Sequence, residues 1–175
     1  MKSKSKGLQL SELLTTGWRE WVLLPELCLP KIKAKIDTGA RTSCLHAFSV
    51  EPFEKDDQQW VRFGIHPFQK NREIEIYCEA RVIDERVVTD SGGHKENRYV
   101  ISSQVVMGNQ QWPIELTLTN RDNMQFRMLL GRTAMEGKIN VDPAASFLLG
   151  KPSKNITGDN NTNKCDSNKL TNEFE

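Results

Sequence analysis

An all-β fold of many short strands is what the sequence predicts, and three features carry that prediction. Apolar side chains recur with a period of two, the extended runs are rich in β-branched and aromatic residues, and helical periodicity is nearly absent. The clearest run is Lys31 to Asp37, where Ile32, Ala34 and Ile36 face one way and Lys31, Lys33 and Lys35 the other. In a second run Ile74, Ile76, Cys78, Ala80 and Val82 alternate with Glu73, Glu75, Tyr77, Glu79 and Arg81. Further strands are expected at Trp21 to Leu24, Trp60 to Ile65, Tyr99 to Met107, Trp112 to Thr119 and Phe126 to Leu130. Gly108-Asn109 fits the turn of a hairpin between two of these. One short helix is expected after Arg132, through Thr133, Ala134 and Met135, and Leu10, Leu13 and Leu14 suit a helical turn near the start.

A chain of 175 residues is long enough for one domain with its own core and short for two. Residues 1–16 read as a flexible leading segment, 17–150 as the folded domain, and 151–175, rich in Asn and poor in large apolar residues, as a disordered tail. The 24 Lys and Arg against 23 Asp and Glu give a formal net charge of +1, which argues against nucleic acid or an anionic membrane as bulk partner. The start lacks the apolar stretch of a signal peptide, and no run approaches the roughly 18 apolar residues of a membrane span. A cytoplasmic protein is the expectation. Cys28, Cys44, Cys78 and Cys165 are widely spaced without CxxC pairing, so free thiols are expected, the first three buried.

Chemistry concentrates at two places. The strand ending at Ile36 runs into Asp37-Thr38-Gly39-Ala40, delivering a carboxylate at an anchored strand end beside a glycine; the same tripeptide is also an ordinary turn sequence. Downstream, Met128-Leu129-Leu130-Gly131-Arg132 is an apolar strand that ends in Gly-Arg. The two motifs in this order resemble the retropepsin family of aspartic peptidases. Together with Gly17-Trp18-Arg19-Glu20-Trp21, the run Lys33 to Ser43, and Trp112 to Arg121, they resemble a bacterial branch of that family, the RimB-type endopeptidases once labelled ATP-dependent zinc proteases. The resemblance spans about Gly17 to Leu149. It implies a retropepsin-like closed barrel, the acid-protease fold, with a flap hairpin. It also implies an aspartic endopeptidase acting on acidic, glutamate-rich tails such as oligoglutamate added to a small-subunit ribosomal protein.

Under that resemblance Asp37 is the catalytic residue, Thr38, Gly39, Ala40, Gly131 and Arg132 support it, and Thr38 braces the loops across a two-fold axis. A peptidase of this kind needs two carboxylates sharing one proton, and one Asp-Thr-Gly per chain then calls for a homodimer. A flap is expected from about Arg86 to Val100, its tip Ser91-Gly92-Gly93-His94 supplying mobile glycines. Arg41, Gly92, Gly93, His94, Lys95 and Arg98 are the expected substrate-binding residues, with Arg41 pairing a glutamate side chain bidentately. Arg41 stands where retroviral members carry acidic residues, so Arg132 must find another partner. No HExxH and no Gly-rich loop ending in Gly-Lys-Ser/Thr occurs, so no metal and no nucleotide cofactor are expected, although Cys44, His46 and Cys78 would be the donors of a chance zinc site. The alternatives are a module that binds acidic peptides without cutting them, and a zinc-dependent hydrolase.

Overall fold

The computed structural model describes residues 12–90, 92–120 and 125–152. The expected loose start (before residue 12), the flap-tip Ser91 and the polar tail beyond residue 152 lie outside the described residues.

Among the described residues the chain is mostly β, with one lone α-helix. In chain order the elements are β1 (Leu14–Gly17), β2 (Arg19–Val22), β3 (Ile32–Ile36), β4 (Ser43–His46), β5 (Ser49–Lys55), β6 (Gln58–Ile65), β7 (Ile76–Thr89), β8 (Lys95–Met107), β9 (Gln110–Thr119), β10 (Met128–Leu130), α1 (Arg132–Met135) and β11 (Ile139–Asp142). Nine strands form one sheet in the order β2-β3-β10-β4-β9-β8-β7-β6-β5, and β1 pairs in parallel with β11 in a second sheet of two strands. Beyond the end of β2, Leu23 bridges back to Val106 on β8, each backbone N–H donating to the other's carbonyl at 3.1 and 2.9 Å. No described helix is long and apolar enough to cross a membrane.

The period of two reads the core faces directly. Ile32, Ala34 and Ile36 on β3 are buried with Val22, Leu45, Leu116, Leu118, Met128 and Leu130 in one cluster, which removes their apolar surface from water at about 25 cal/mol per Å². Gly108 and Asn109 do link β8 to β9, where Met107 faces Gln110, and Gly108 has φ 57°, the left-handed conformation such a two-residue turn needs. The β5–β6 turn meets the same demand without glycine: Asp56 and Asp57, both near φ 55°, close it between Lys55 and Gln58.

Several elements differ from expectation. Leu14 begins a strand rather than a helical turn, because the Leu14 N–H donates to Lys138 O and the segment pairs with β11, a partner some 125 residues away that no local window contains. β5 escapes a sequence reading since Pro52 lies inside it. Pro is tolerated there because β5 is the outermost strand of the sheet, where one row of N–H groups has no ladder to join. β7 and β8 run on well past the apolar stretches at Ile76 to Val82 and Tyr99 to Met107, paired from Val82 opposite Ile101 out to Thr89 opposite Lys95, with an irregularity between Val82 and Asp84.

The cysteines divide. Cys44 and Cys78 are buried and not disulfide-bonded, as expected. Cys28 is exposed and disulfide-bonded, contrary to expectation: it closes the 3-10 turn Pro25–Leu27 in a left-handed conformation at the surface, and spacing along the chain says nothing about which thiols meet in space. Burial pushes the Cys78 thiol from an ordinary 9.0 up to about 12, and its Sγ lies 3.3 Å from Leu27 O. The thiol form is thus favoured by folding. Its contribution to stability is complete below pH 9.0 and is lost as pH rises through about 12. Alkylation of folded protein near neutral pH is expected to leave Cys78 unmodified, as read by peptide mass mapping; rapid labelling there would refute it.

Candidate functional site

β10 lies between β3 and β4, parallel to β3, so the ends of the two motif-bearing strands lie side by side. Leu130 pairs with Ile36, and the Asp37 N–H donates to Leu130 O at 2.9 Å. The chain then turns: the Gly39 N–H donates to Asp37 Oδ1 at 3.0 Å and the Ala40 N–H to Asp37 O at 3.3 Å. Aspartate suits this position because its short side chain accepts from the backbone two residues on. Asp37 Oδ2 is 3.4 Å from Lys35 Nζ, and the Asp37 side chain keeps 22% of its surface exposed.

Gly131 and α1 staple the loop from the other side. The Gly131 N–H donates to Ser43 Oγ at 3.0 Å, the Arg132 N–H to Ala40 O at 2.9 Å, and the Thr133 N–H to Arg41 O at 3.0 Å. Arg132 finds its partners in the backbone: Nη1 donates to Thr38 O at 3.0 Å and to Gly39 O at 3.2 Å. That explains how the motif does without the acidic residue. Ser43 is itself fixed, its carbonyl accepting from Thr117 Oγ1 at 3.1 Å on β9.

These elements frame a cleft of about 930 Å³. Of the residues singled out from sequence, Asp37, Gly39, Ala40, Arg41 and Arg98 line it, while Thr38, Gly131 and Arg132 stand behind the loop. Gly92, Gly93, His94 and Lys95 do not line it. They form the far turn of the β7–β8 hairpin, held by Asp90: its Oδ1 accepts from the Gly92 and His94 N–H groups at 2.8 and 3.0 Å, and Gly93 takes φ 83°. The wall is instead Arg86 to Thr89 of β7 with the following Asp90, a stretch inside the expected flap of which no residue had been singled out as contacting a ligand.

Thr42, Cys44, Glu115, Thr117, Leu129 and Thr133 complete the lining, and none of them had been singled out as contacting a peptide ligand. Glu115 holds the hairpin: its Oε2 accepts from Arg86 Nη1 at 2.6 Å, and Arg86 also pairs with Asp84. The hydrogen bond from Arg86 holds the Asp84 carboxyl below its ordinary range, and Glu115 followed by Asp84 raises the guanidinium's pKa in turn. Nothing in the sequence links residues 29 positions apart on strands that are not neighbours in the sheet. Arg98, only 6% exposed, donates from Nε to Glu96 Oε2 at 2.7 Å, and its Nη1 lies 3.9 Å from Cys44 Sγ. Arg41 is exposed and makes no ion pair among the described residues. The described residues contain no cluster of three His, Cys, Asp or Glu side chains placed to hold a metal ion.

Comparison with known proteins gives three kinds of relative. The family model of RimB-like proteins, described as retropepsin-like aspartic endopeptidase RimB, matches residues 15–152. A protein of Parasynechococcus marenigrum named probable alpha-L-glutamate ligase is 50% identical over 141 residues, covering 81% of this chain and 30% of the relative. A protein of the same name from Shewanella pealeana is 50% identical over 135 residues, covering 77% of this chain and 30% of the relative. The chain therefore spans about a third of the length of these curated relatives. A crystal structure of a Legionella pneumophila protein of unknown function superposes with a TM-score of 0.66 at 26% identity, covering 79% of this chain and 99% of that one.

The ligase names overturn the expectation that this chain is an aspartic peptidase that hydrolyses acidic tails, since a ligase makes the kind of bond a peptidase breaks. With that mechanism goes the reason for requiring a second Asp37 from a homodimer. The match of the family model across residues 15–152 nevertheless assigns descent: the chain belongs to the RimB-like family of retropepsin-like aspartic endopeptidases.

Proposed function

We propose that the chain is a recognition module for acidic, glutamate-bearing peptide tails and that it serves glutamate ligation. The observation that carries this reading is Arg41. It stands at the cleft, exposed and without an ion pair among the described residues, next to the Asp37 loop. A planar guanidinium that is not already neutralised is suited to a carboxylate, which it engages through two parallel N–H bonds. The other two cleft arginines are committed, Arg86 to Glu115 and Asp84 and Arg98 to Glu96, so they shape the walls and leave Arg41 to read the ligand.

The relatives named probable alpha-L-glutamate ligase support glutamate as the ligand chemistry, since such an enzyme ligates glutamate. A module able to hold a glutamate-bearing tail would keep that tail close, raising its effective concentration at a ligase active site. Closure of the sheet into a barrel belongs to the same reading. The isolated Leu23–Val106 bridge, which brings the chain beyond the end of edge strand β2 to β8, supports that part of the proposal.

The test is fluorescence anisotropy with a labelled glutamate-extended peptide and its glutamine-extended counterpart. Wild type is expected to prefer the glutamate peptide. Arg41→Glu is expected to weaken that binding by about tenfold or more, equivalent to about 1.4 kcal/mol, and Arg41→Lys to weaken it less. Equal binding of the glutamine peptide, or unchanged affinity in Arg41→Glu, would remove the proposal.

A further inference from the structure

Next to the Asp37 loop, the outer face of β2 and β3 carries a strip of cations that the cleft does not use. On β3, Lys33 and Lys35 point away from the buried Ile32, Ala34 and Ile36, and across the ladder Trp21 faces Lys33 while Arg19 faces Lys35. The strip is organised by aromatic rings. Lys33 Nζ lies 5.0 Å from the Trp21 ring centroid and 5.8 Å from that of Phe147, the Arg19 guanidinium 5.0 Å from Phe147, and Lys151 Nζ 5.5 Å from Trp21. Among the described residues Arg19, Lys33 and Lys151 make no ion pair with a carboxylate; their charge rests on π-faces, and Arg19 Nε also donates to Ser146 Oγ at 3.2 Å. Lys35 joins the strip to the cleft, its Nζ being 3.4 Å from Asp37 Oδ2.

We infer that this strip is a second, length-sensing binding track for an acidic peptide. It rests on the acidic-tail reading above and extends it: residues of the tail beyond those held at Arg41 run over Lys35, Lys33 and Lys151. The geometry matches, since alternate residues of any extended chain repeat at about 6.6 Å, so alternate carboxylates of an extended glutamate tract keep step with Lys33 and Lys35. Continuity with the cleft gives the direction. Single-stranded nucleic acid, the other polyanion that favours basic and aromatic surfaces, binds by stacking bases on open rings. Here the rings are occupied: Trp21 is covered by Lys33 and Lys151 and packs 6.1 Å from Phe147, which leaves the cations, rather than the rings, to meet the ligand.

The experiment compares two glutamate-extended peptides, one with about four glutamates, confined to the cleft, and one with about twelve, whose extended length of about 40 Å reaches past Lys33. Wild type is expected to bind the long peptide about tenfold more tightly by calorimetry. K33E/K151E, and the milder K33Q/K151Q, are expected to lose that excess while binding the short peptide as wild type does, which also shows that they are folded. A long-peptide advantage that persists in both variants overturns the track. Competition of the long peptide by single-stranded oligothymidylate, abolished by the same variants, would assign the strip to nucleic acid and also overturn it. If wild type binds neither peptide, the acidic-tail reading has failed and the track falls with it, a result distinct from loss of the length effect alone.

Discussion

Glu20→Ala is expected to lower the thermal unfolding midpoint by about 10 °C, corresponding to a loss of about 3–4 kcal/mol for a domain of this size. Glu20 is fully buried, and its carboxyl group accepts three backbone N–H groups: Oε1 from Gly17 at 2.7 Å and Leu148 at 2.9 Å, and Oε2 from Leu149 at 3.3 Å. One side chain thereby ties the β1–β2 turn to a segment 128 residues further on, beside the Trp18 N–H bond to Ala145 O and the Phe147 N–H bond to Arg19 O. Alanine would leave those donors with no acceptor in a place water reaches poorly, where each costs about 1–3 kcal/mol. Glu20→Gln should lose less, because it keeps one oxygen and sacrifices the longest bond. Circular dichroism melting at neutral pH decides the matter. A midpoint change no larger than that of an exposed control such as Glu79→Ala would show that the clamp contributes little.

Gly131→Ala is expected to reduce stability by about 2–3 kcal/mol and the affinity for a glutamate-extended peptide by about tenfold. A methyl group at residue 131 would lie 2.6 Å from Thr42 C, 2.8 Å from Thr42 O and 2.9 Å from Arg41 O. All three are main-chain atoms, so no side chain can swing aside; either β10 or the loop after Asp37 must move. That loop is the one carrying Arg41, and the bonds from Gly131, Arg132 and Thr133 that align it would lengthen together. Calorimetry should therefore show weakened binding at temperatures where the variant is still fully folded. Unchanged affinity in folded Gly131→Ala would mean that the packing of α1 against the loop does not position the binding site.

The period of two across Lys31 to Asp37 and, from Ile76 rather than Ile74, to Val82, the Gly108-Asn109 turn, the short helix after Arg132 and the two motifs were all legible in the sequence, because each is set by neighbours within a few residues. The same locality marks where the reading stopped. β1 exists because of β11, and β5 tolerates Pro52 because it ends the sheet; neither partner is visible in a local window. The expected contact residues at Gly92 to Lys95 turned out to form the outer turn of the hairpin. Which stretch of a hairpin faces a cleft depends on how its strands cross the sheet, and here Arg86 paired with Glu115 sets that. Alternation alone places Glu20 on the inward face of β2 beside Val22, where a carboxylate looks like an error. Only the fold supplies the three donors that make it a clamp.

What the sequence by itself determined, then, was the β class, the Asp37 and Gly131 motifs and family membership, since these rest on local periodicity and short motifs within one chain. The tertiary structure decided what surrounds them: that Arg132 holds the Thr38 and Gly39 carbonyls, that Arg41 is left open while Arg86 and Arg98 are engaged, and that a row of lysines leads up to Asp37. The physical reason is that charge and hydrogen-bond partners are chosen by distance in space. Residues 29 to 128 positions apart meet only once the sheet has formed.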